Sequence, residues 1–177
     1  EDVCAWESWP RAGAVRGSGG VGRGLAHAWE ARGGRVRLLS RSHKIGPLTD
    51  PDVLAVAQAL TAAQLPTAFN SQLESASRSA QGVQLRYTTE DGTSTTETFD
   101  YLLLATGRKP NLSGLDLAAA NVALNARGMP DVETLTRQIK GQPIFMAGDA
   151  HGQRPLLHEA ADDGYAAGQN AAAWPAV

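Results

Sequence analysis

Cysteine is almost missing: Cys4 is the only one in 177 residues, so no disulfide can form within the chain and no thiolate cage can hold a metal. The four histidines, His27, His43, His151 and His158, are scattered without ligand spacing, and no metal site is expected. No apolar stretch approaches the ~20 residues of a membrane span. The start, Glu1-Asp2-Val3-Cys4, lacks the cationic and apolar regions of a secretion signal, which leaves the cytoplasm as the default location. Neither sign of charge dominates, and a net charge of −2 argues against a general binder of nucleic acid or anionic membranes. No Ser/His/Asp set with supporting context occurs. With 42% hydrophobic and 19% charged residues, the chain has an ordinary globular composition and can form one or two small domains.

Glycine is plentiful, 19 residues, so chance spacings arise easily and context has to decide. Residues 17–22 read G-S-G-G-V-G, which puts Gly17, Gly19 and Gly22 in the G-x-G-x-x-G spacing. In that motif the first glycine permits a tight turn, the second lets a pyrophosphate approach, and the third lets a helix sit tightly on a strand. The phosphate then rests on the helix N-terminus. Ala14-Val15 supplies a short apolar strand before the loop, and Leu25, Ala26, Ala28, Trp29 and Ala31 keep helical spacing after it. Gly33-Gly34 ends that helix, and Val36-Arg37-Leu38-Leu39 reads as a second parallel strand.

Further along, Asp50 can cap a helix with Pro51 at its first position and Val53, Leu54, Val56, Ala57 and Leu60 as its apolar stripe. From Thr67 to Tyr101 the period changes to alternation. Val83-Leu85-Tyr87, a turn at Glu90-Asp91-Gly92 and a Thr-rich partner ending at Phe99 predict an antiparallel meander of about three strands. Tyr101–Ala105 is wholly apolar, as expected of a central strand buried on both faces. Ile144–Ala147 reads as another buried strand, running into Gly148-Asp149, and a final helix is predicted from about Leu157 to Ala173.

Several residue pairs invite catalytic roles without supporting them. His158 and Glu159 are adjacent on a helix, so their side chains point about 100° apart. Asp162-Asp163 reads as a solvated helix face, and Trp6, Trp9, Trp29 and Trp174 read as packing residues.

Taken in order, G-S-G-G-V-G, R-S-H-K at 41–44, G-P-L-T-D-P at 46–51, F-D-Y-L-L-L-A-T-G-R-K-P-N at 99–111, I-F-M-A-G-D-A at 144–150 and P-L-L-H-E-A-A-D-D-G at 155–164 resemble the pyridine nucleotide-disulfide oxidoreductases, and most of all the dihydrolipoyl dehydrogenases. The resemblance runs from about Trp9 to Ala173. It implies an α/β fold: a Rossmann-like parallel sheet with an antiparallel meander crossover, followed by a partial FAD-domain segment. Residues 1–107 would form an NAD(P)-binding domain and 108–177 the C-terminal segment of a split FAD-binding domain, with the handover at Gly107–Asn111. Gly17, Gly19, Gly22, Ser40, Arg41 and Gly107 would cradle NAD or NADP. Asp149 would accept hydrogen bonds from the flavin's ribityl chain, and Leu157 would meet the flavin through its backbone.

Ser40 stands where NAD-preferring relatives carry an acid for the ribose 2′-hydroxyl, and Arg41 follows it with Lys44 nearby. Either these residues bind a 2′-phosphate or the cations only solvate a loop, while Gly22 leans toward NAD. Relatives also carry a C-x-x-x-x-C redox pair and a dimerisation segment with a His–Glu acid–base pair, and neither matches this sequence. The chain is therefore expected to be the middle of a longer, homodimeric flavoenzyme and inactive in disulfide chemistry alone. The alternatives are a non-catalytic nucleotide-binding or structural remnant, or another disulfide reductase or NADH oxidase of the superfamily. Gly13 and Arg16 sit in what should be an apolar strand. Either Arg16 reaches solvent or a phosphate, or the loop is degraded. Gly20, Arg23 and Gly24 also depart from the residues that relatives place there.

Overall fold

A computed structural model describes residues 9–152 and 156–175; Cys4, Trp6 and Pro155 lie outside the described residues. The chain divides into two compact units, Glu1–Gly107 and Arg108–Val177.

In the first unit, β1 (Ala12–Arg16), α1 (Gly20–Glu30), β2 (Arg35–Leu39), α2 (Pro51–Gln64) and β3 (Thr67–Ala68) are followed by β4 (Gln72–Ser79), β5 (Gly82–Thr88), β6 (Ser94–Phe99) and β7 (Tyr101–Leu104). The fold is α/β. A four-stranded sheet in the order β3-β2-β1-β7 is parallel throughout, and β4-β5-β6 form the antiparallel meander. The β-branched and apolar residues of β1 and β2 face two ways, as a strand's alternation requires. Val15, Val36 and Leu38 pack with Ala26 and Trp29 of α1. Ala14 and Leu39 pack on the other face with Leu85, Tyr87 and Phe99 of the meander, which covers the sheet where a helix otherwise would. The Asp100 carboxylate fixes the junction by accepting from the backbone N–H groups of Arg11 and Ala12, at 2.8 and 2.9 Å. On the meander, Glu97 receives the Tyr87 hydroxyl at 2.5 Å and pairs with Arg35 and Arg37. Burial and that bond to Glu97 push the Tyr87 phenol up to about 12.

Two expectations for this unit need correction. β7 is the edge of the described sheet, with Leu104 65% exposed, although its apolar run suggested a central strand. Such a run reports cover on the two faces and says nothing of neighbours at the sides. In α2, Asp50 does cap the helix, accepting from the N–H groups of Asp52 and Val53 at 3.0 Å each. The stripe, however, faces out: Val53, Val56 and Leu60 are exposed, while Thr61 is buried and Leu54, Ala57 and Gln58 are half-buried. With so many apolar residues round the helix, periodicity could not choose the inner face.

The Gly13 anomaly has a packing reason. A Cβ there would lie 2.0 Å from the ring of Trp29, and one at Gly34 would lie 2.3 Å from the same indole. The two glycines make room for Trp29, whose Nε1 donates to the Pro10 carbonyl at 2.9 Å.

The second unit contains a short 3₁₀ turn at Gly148–His151 and α3 (Leu157–Ala173). Its apolar cluster is Val122, Val132, Ile139 and Met146. Residues 144–147 do not form the expected strand. Among the described residues that region is joined by isolated bridges, such as Gln138 with Phe145. Nor is Asp163 on a solvated face: it is 2% exposed, hydrogen-bonded to His151 Nε2 and paired with Arg137 at 2.7 Å. Its burial acts to raise its pKa, but the His151 bond and the charge of Arg137 outweigh that and hold the carboxyl below its usual range. An acid among small helical residues gives no sequence hint of partners that lie elsewhere in the chain.

Candidate functional site

The glycine turn lies between the end of β1 and the start of α1. Gly17 N donates to the Leu39 carbonyl at 2.8 Å, which ties the turn to β2. Gly17 has φ +120°, a left-handed conformation that favours glycine, and a Cβ there would lie 2.2 Å from the Ala105 carbonyl oxygen. A Cβ at Gly22 would lie 2.0 Å from the Gly17 oxygen, so α1 rests directly on the turn. Gly19 differs from both: nothing lies within 4 Å of the position its Cβ would take. It caps α1 without any side-chain hydrogen bond, and the first turn carries no acid, so the N–H groups and positive end of the helix have no internal anion.

That open side belongs to a cavity of about 270 Å³. Of the sequence-predicted residues, Gly17, Gly19, Ser40, Arg41 and Gly107 line it together, whereas Gly22 sits behind them as packing. Ser40 is buried and its hydroxyl is committed within the loop, donating to the Ser42 carbonyl at 2.8 Å and lying 2.8 Å from the Ser18 hydroxyl. Ser18 in turn donates to the Lys44 carbonyl at 2.6 Å. These serines hold the loop after β2 against the glycine turn.

Sequence reasoning passed over Ser18, Ser42 and Thr106 as lining residues, named Lys44 only as a neighbour of Arg41, and left Arg16 unplaced. Arg16 does border the cavity, yet its Nη1 is buried without a hydrogen-bond partner. Burial, and then the nearby charge of Arg41, lower its pKa from the usual guanidinium value. The signal in the sequence was the charge itself, at the end of an apolar strand.

The remaining two predicted residues belong to the second unit. Asp149 pairs with Arg108 at 3.1 Å, with both side chains largely accessible, and lines a separate cavity of about 360 Å³ with Arg108, Lys109, Pro110 and Asn111. A carboxylate beside two cations offers acceptors for hydroxyl groups and charge for phosphate. Leu157 is the first residue of α3, and its side chain is 90% exposed and lines neither cavity. Among the described residues no group of three or more His, Cys, Asp or Glu could hold a metal, and no helix is long and apolar enough to cross a membrane.

Comparison with known proteins identifies the family and the fold. Dihydrolipoyl dehydrogenase 3 of Pseudomonas putida is 30% identical over 86% of this chain and 33% of its own length. Mercuric reductase of Acidithiobacillus ferrooxidans is 35% identical over 93% of this chain and 29% of its own. The crystal structure of LpdA from Mycobacterium tuberculosis superposes with a TM-score of 0.79 at 26% identity, over 97% of this chain and 36% of that one. The chain thus spans about a third of the length of these relatives. The sequence pattern of the pyridine nucleotide-disulphide oxidoreductases, whose members use FAD and NAD(P)H, matches residues 6–164, and the chain belongs to that family.

Proposed function

We propose that this chain is the nucleotide-binding region of a dihydrolipoyl-dehydrogenase-like flavoenzyme, with residues 1–107 binding NAD(P)H and residues 108–177 contributing part of the FAD-binding domain. The observation that carries this is the turn at 17–22, in which two glycines are demanded by close backbone contact and the third faces an open cavity. Bound together, nicotinamide and flavin supply hydride transfer. The chain's own residues bind and orient. The N–H groups at the start of α1 would meet the diphosphate, Gly19 would leave it room, and Thr106 and Gly107 border the same cavity. In the second unit Asp149 would accept from the flavin's hydroxyl-bearing chain, with Arg108 and Lys109 beside it, and the N-terminal amides of α3 at Leu157, which no side chain caps, would meet the flavin. The full enzyme would be a homodimer, and its thiol chemistry would come from segments this sequence does not match.

Gly19→Asp tests the proposal cleanly. The space around Gly19 accepts a side chain, and Asp is a good N-cap, so the fold is expected to hold or gain a few tenths of a kcal/mol. The new carboxylate would stand where the diphosphate lies. Fluorescence titration is expected to show binding of NADH or NADPH by the wild-type chain and its loss in the variant. Binding of neither nucleotide by the folded wild-type chain would refute the proposal.

A further inference from the structure

We infer that Asp163 is a positioning residue for the turn at Gly148–His151, holding both ends of the turn against α3 so that Asp149, between them, is aimed into the neighbouring cavity. This rests on the proposed flavin role of Asp149. It goes beyond that role by assigning a task to a buried carboxylate that itself lines neither cavity.

Three observations converge. First, one Asp163 oxygen meets Arg137 at 2.7 Å and the other accepts from His151 Nε2, while the Gly148 N–H donates to the same carboxylate. The first and last residues of the turn are thus tied to one group. Second, α3 approaches the turn along a single face. A Cβ on Gly148 would lie 3.2 Å from the Ala160 Cβ, and Asp163 follows Ala160 at the i+3 position, on the same side of the helix. Gly148 also has φ +65°, so the backbone and the close approach both call for glycine. Third, residues i and i+3 of a 3₁₀ turn eclipse, so Gly148 and His151 share the side that faces α3 and Asp149 is turned about 120° away from it. The exposures agree: the His151 side chain is 2% exposed and that of Asp149 is 46%.

Arg137 completes the anchor from outside α3. Its φ of +64° is uncommon for a residue with a side chain, and its backbone is fixed there, donating to the Glu133 carbonyl at 3.0 Å and accepting from Met146 N at 2.8 Å. Buried ion pairs are a poor source of stability, because apolar residues of similar volume commonly serve as well or better. What charge and hydrogen bonds add is direction. An apolar contact would hold the turn near α3 without fixing its rotation, and the rotation decides where Asp149 points.

The test compares the 177-residue wild-type chain with His151→Leu, His151→Gln and the triple variant Arg137→Met, His151→Leu, Asp163→Leu. The readouts are FAD titration followed by flavin fluorescence, thermal unfolding without FAD, and the backbone couplings of residues 148–151 in solution. The triple variant is expected to melt near the wild-type temperature, because it leaves no charge buried without a partner. It is nevertheless expected to bind FAD about tenfold or more weakly and to lose the couplings of a single turn conformation. His151→Leu, which unties one end of the turn, is expected to lose FAD affinity too, whereas His151→Gln keeps a donor for Asp163 and is expected to stay within about twofold of wild type. Wild-type FAD affinity in the folded triple variant would overturn the inference, as would equal losses in His151→Leu and His151→Gln. Failure of the triple variant to fold would make the network structural and overturn it as well. Failure of the wild type to bind FAD is a different result, which removes the proposed flavin role of Asp149 and this inference with it.

Discussion

The two units satisfy their backbones in different ways. In the first, strand ladders carry the chain through two sheets, and apolar side chains gather on both faces of the parallel one. In the second, residues 108–152 are held by turns and isolated bridges around one small cluster, and a buried Arg137–Asp163–His151 network joins α3 to the 3₁₀ turn. Ladders spread stability over many equivalent bonds, whereas the network concentrates it in one carboxylate. A unit that relies on a buried charge is therefore expected to be more fragile toward single substitutions and acid than one that relies on a sheet.

Asp163→Ala is expected to have the largest effect. It leaves His151 buried and Arg137 mostly buried without their shared anion, at a cost of about 3–5 kcal/mol. Hydrogen exchange resolved by segment is expected to show loss of protection in α3 and at 148–151 while β1, β2 and β5 stay protected; equal loss in both units would break the comparison. The same network sets an acid response. Asp163 has a pKa below its unfolded value, so its contribution is complete above the usual carboxylate range and is lost as pH falls through the depressed folded value. Urea unfolding at descending pH is expected to weaken α3 before the parallel sheet, and Asp163→Ala to blunt that difference.

Smaller effects sharpen the picture of the first unit. Gly13→Val forces a side chain onto Trp29 and is expected to lower stability by about 1–3 kcal/mol, with Trp29 fluorescence reporting the shift. Asp50→Ala removes the α2 cap, at a cost of about 1 kcal/mol. Val56→Lys, on the exposed side of the same helix, is expected to change stability by no more than about 0.5 kcal/mol; a loss of several kcal/mol would mean that this stripe is buried after all.

Much of the first unit was legible because its signals are local. The hairpin turn after Tyr87, the alternation at 83–87 and the cap at Asp50 each lie within a few residues of what they determine. What could not be read depends on partners far along the chain. The inner face of α2, the lateral position of β7 and the partners of Asp163 are set by neighbours that no local pattern encodes. The odd composition of β1 has two parts: Gly13 answers Trp29, sixteen residues on, and Arg16 borders a cavity together with the loop after β2. At the site, the glycine spacing pointed to the turn, but the serine bonds that organise it and the place of Arg16 on its rim required the fold.

The central claim, that the turn between β1 and α1 receives the diphosphate of a nicotinamide dinucleotide, is tested most directly by amide chemical-shift mapping of the chain during titration with NADPH. The largest shifts are expected at the backbone amides of Ser18, Gly19 and Gly20, with smaller ones at Arg41 and Gly107. Shifts confined to other segments, with those glycine amides unmoved at saturation, would contradict it.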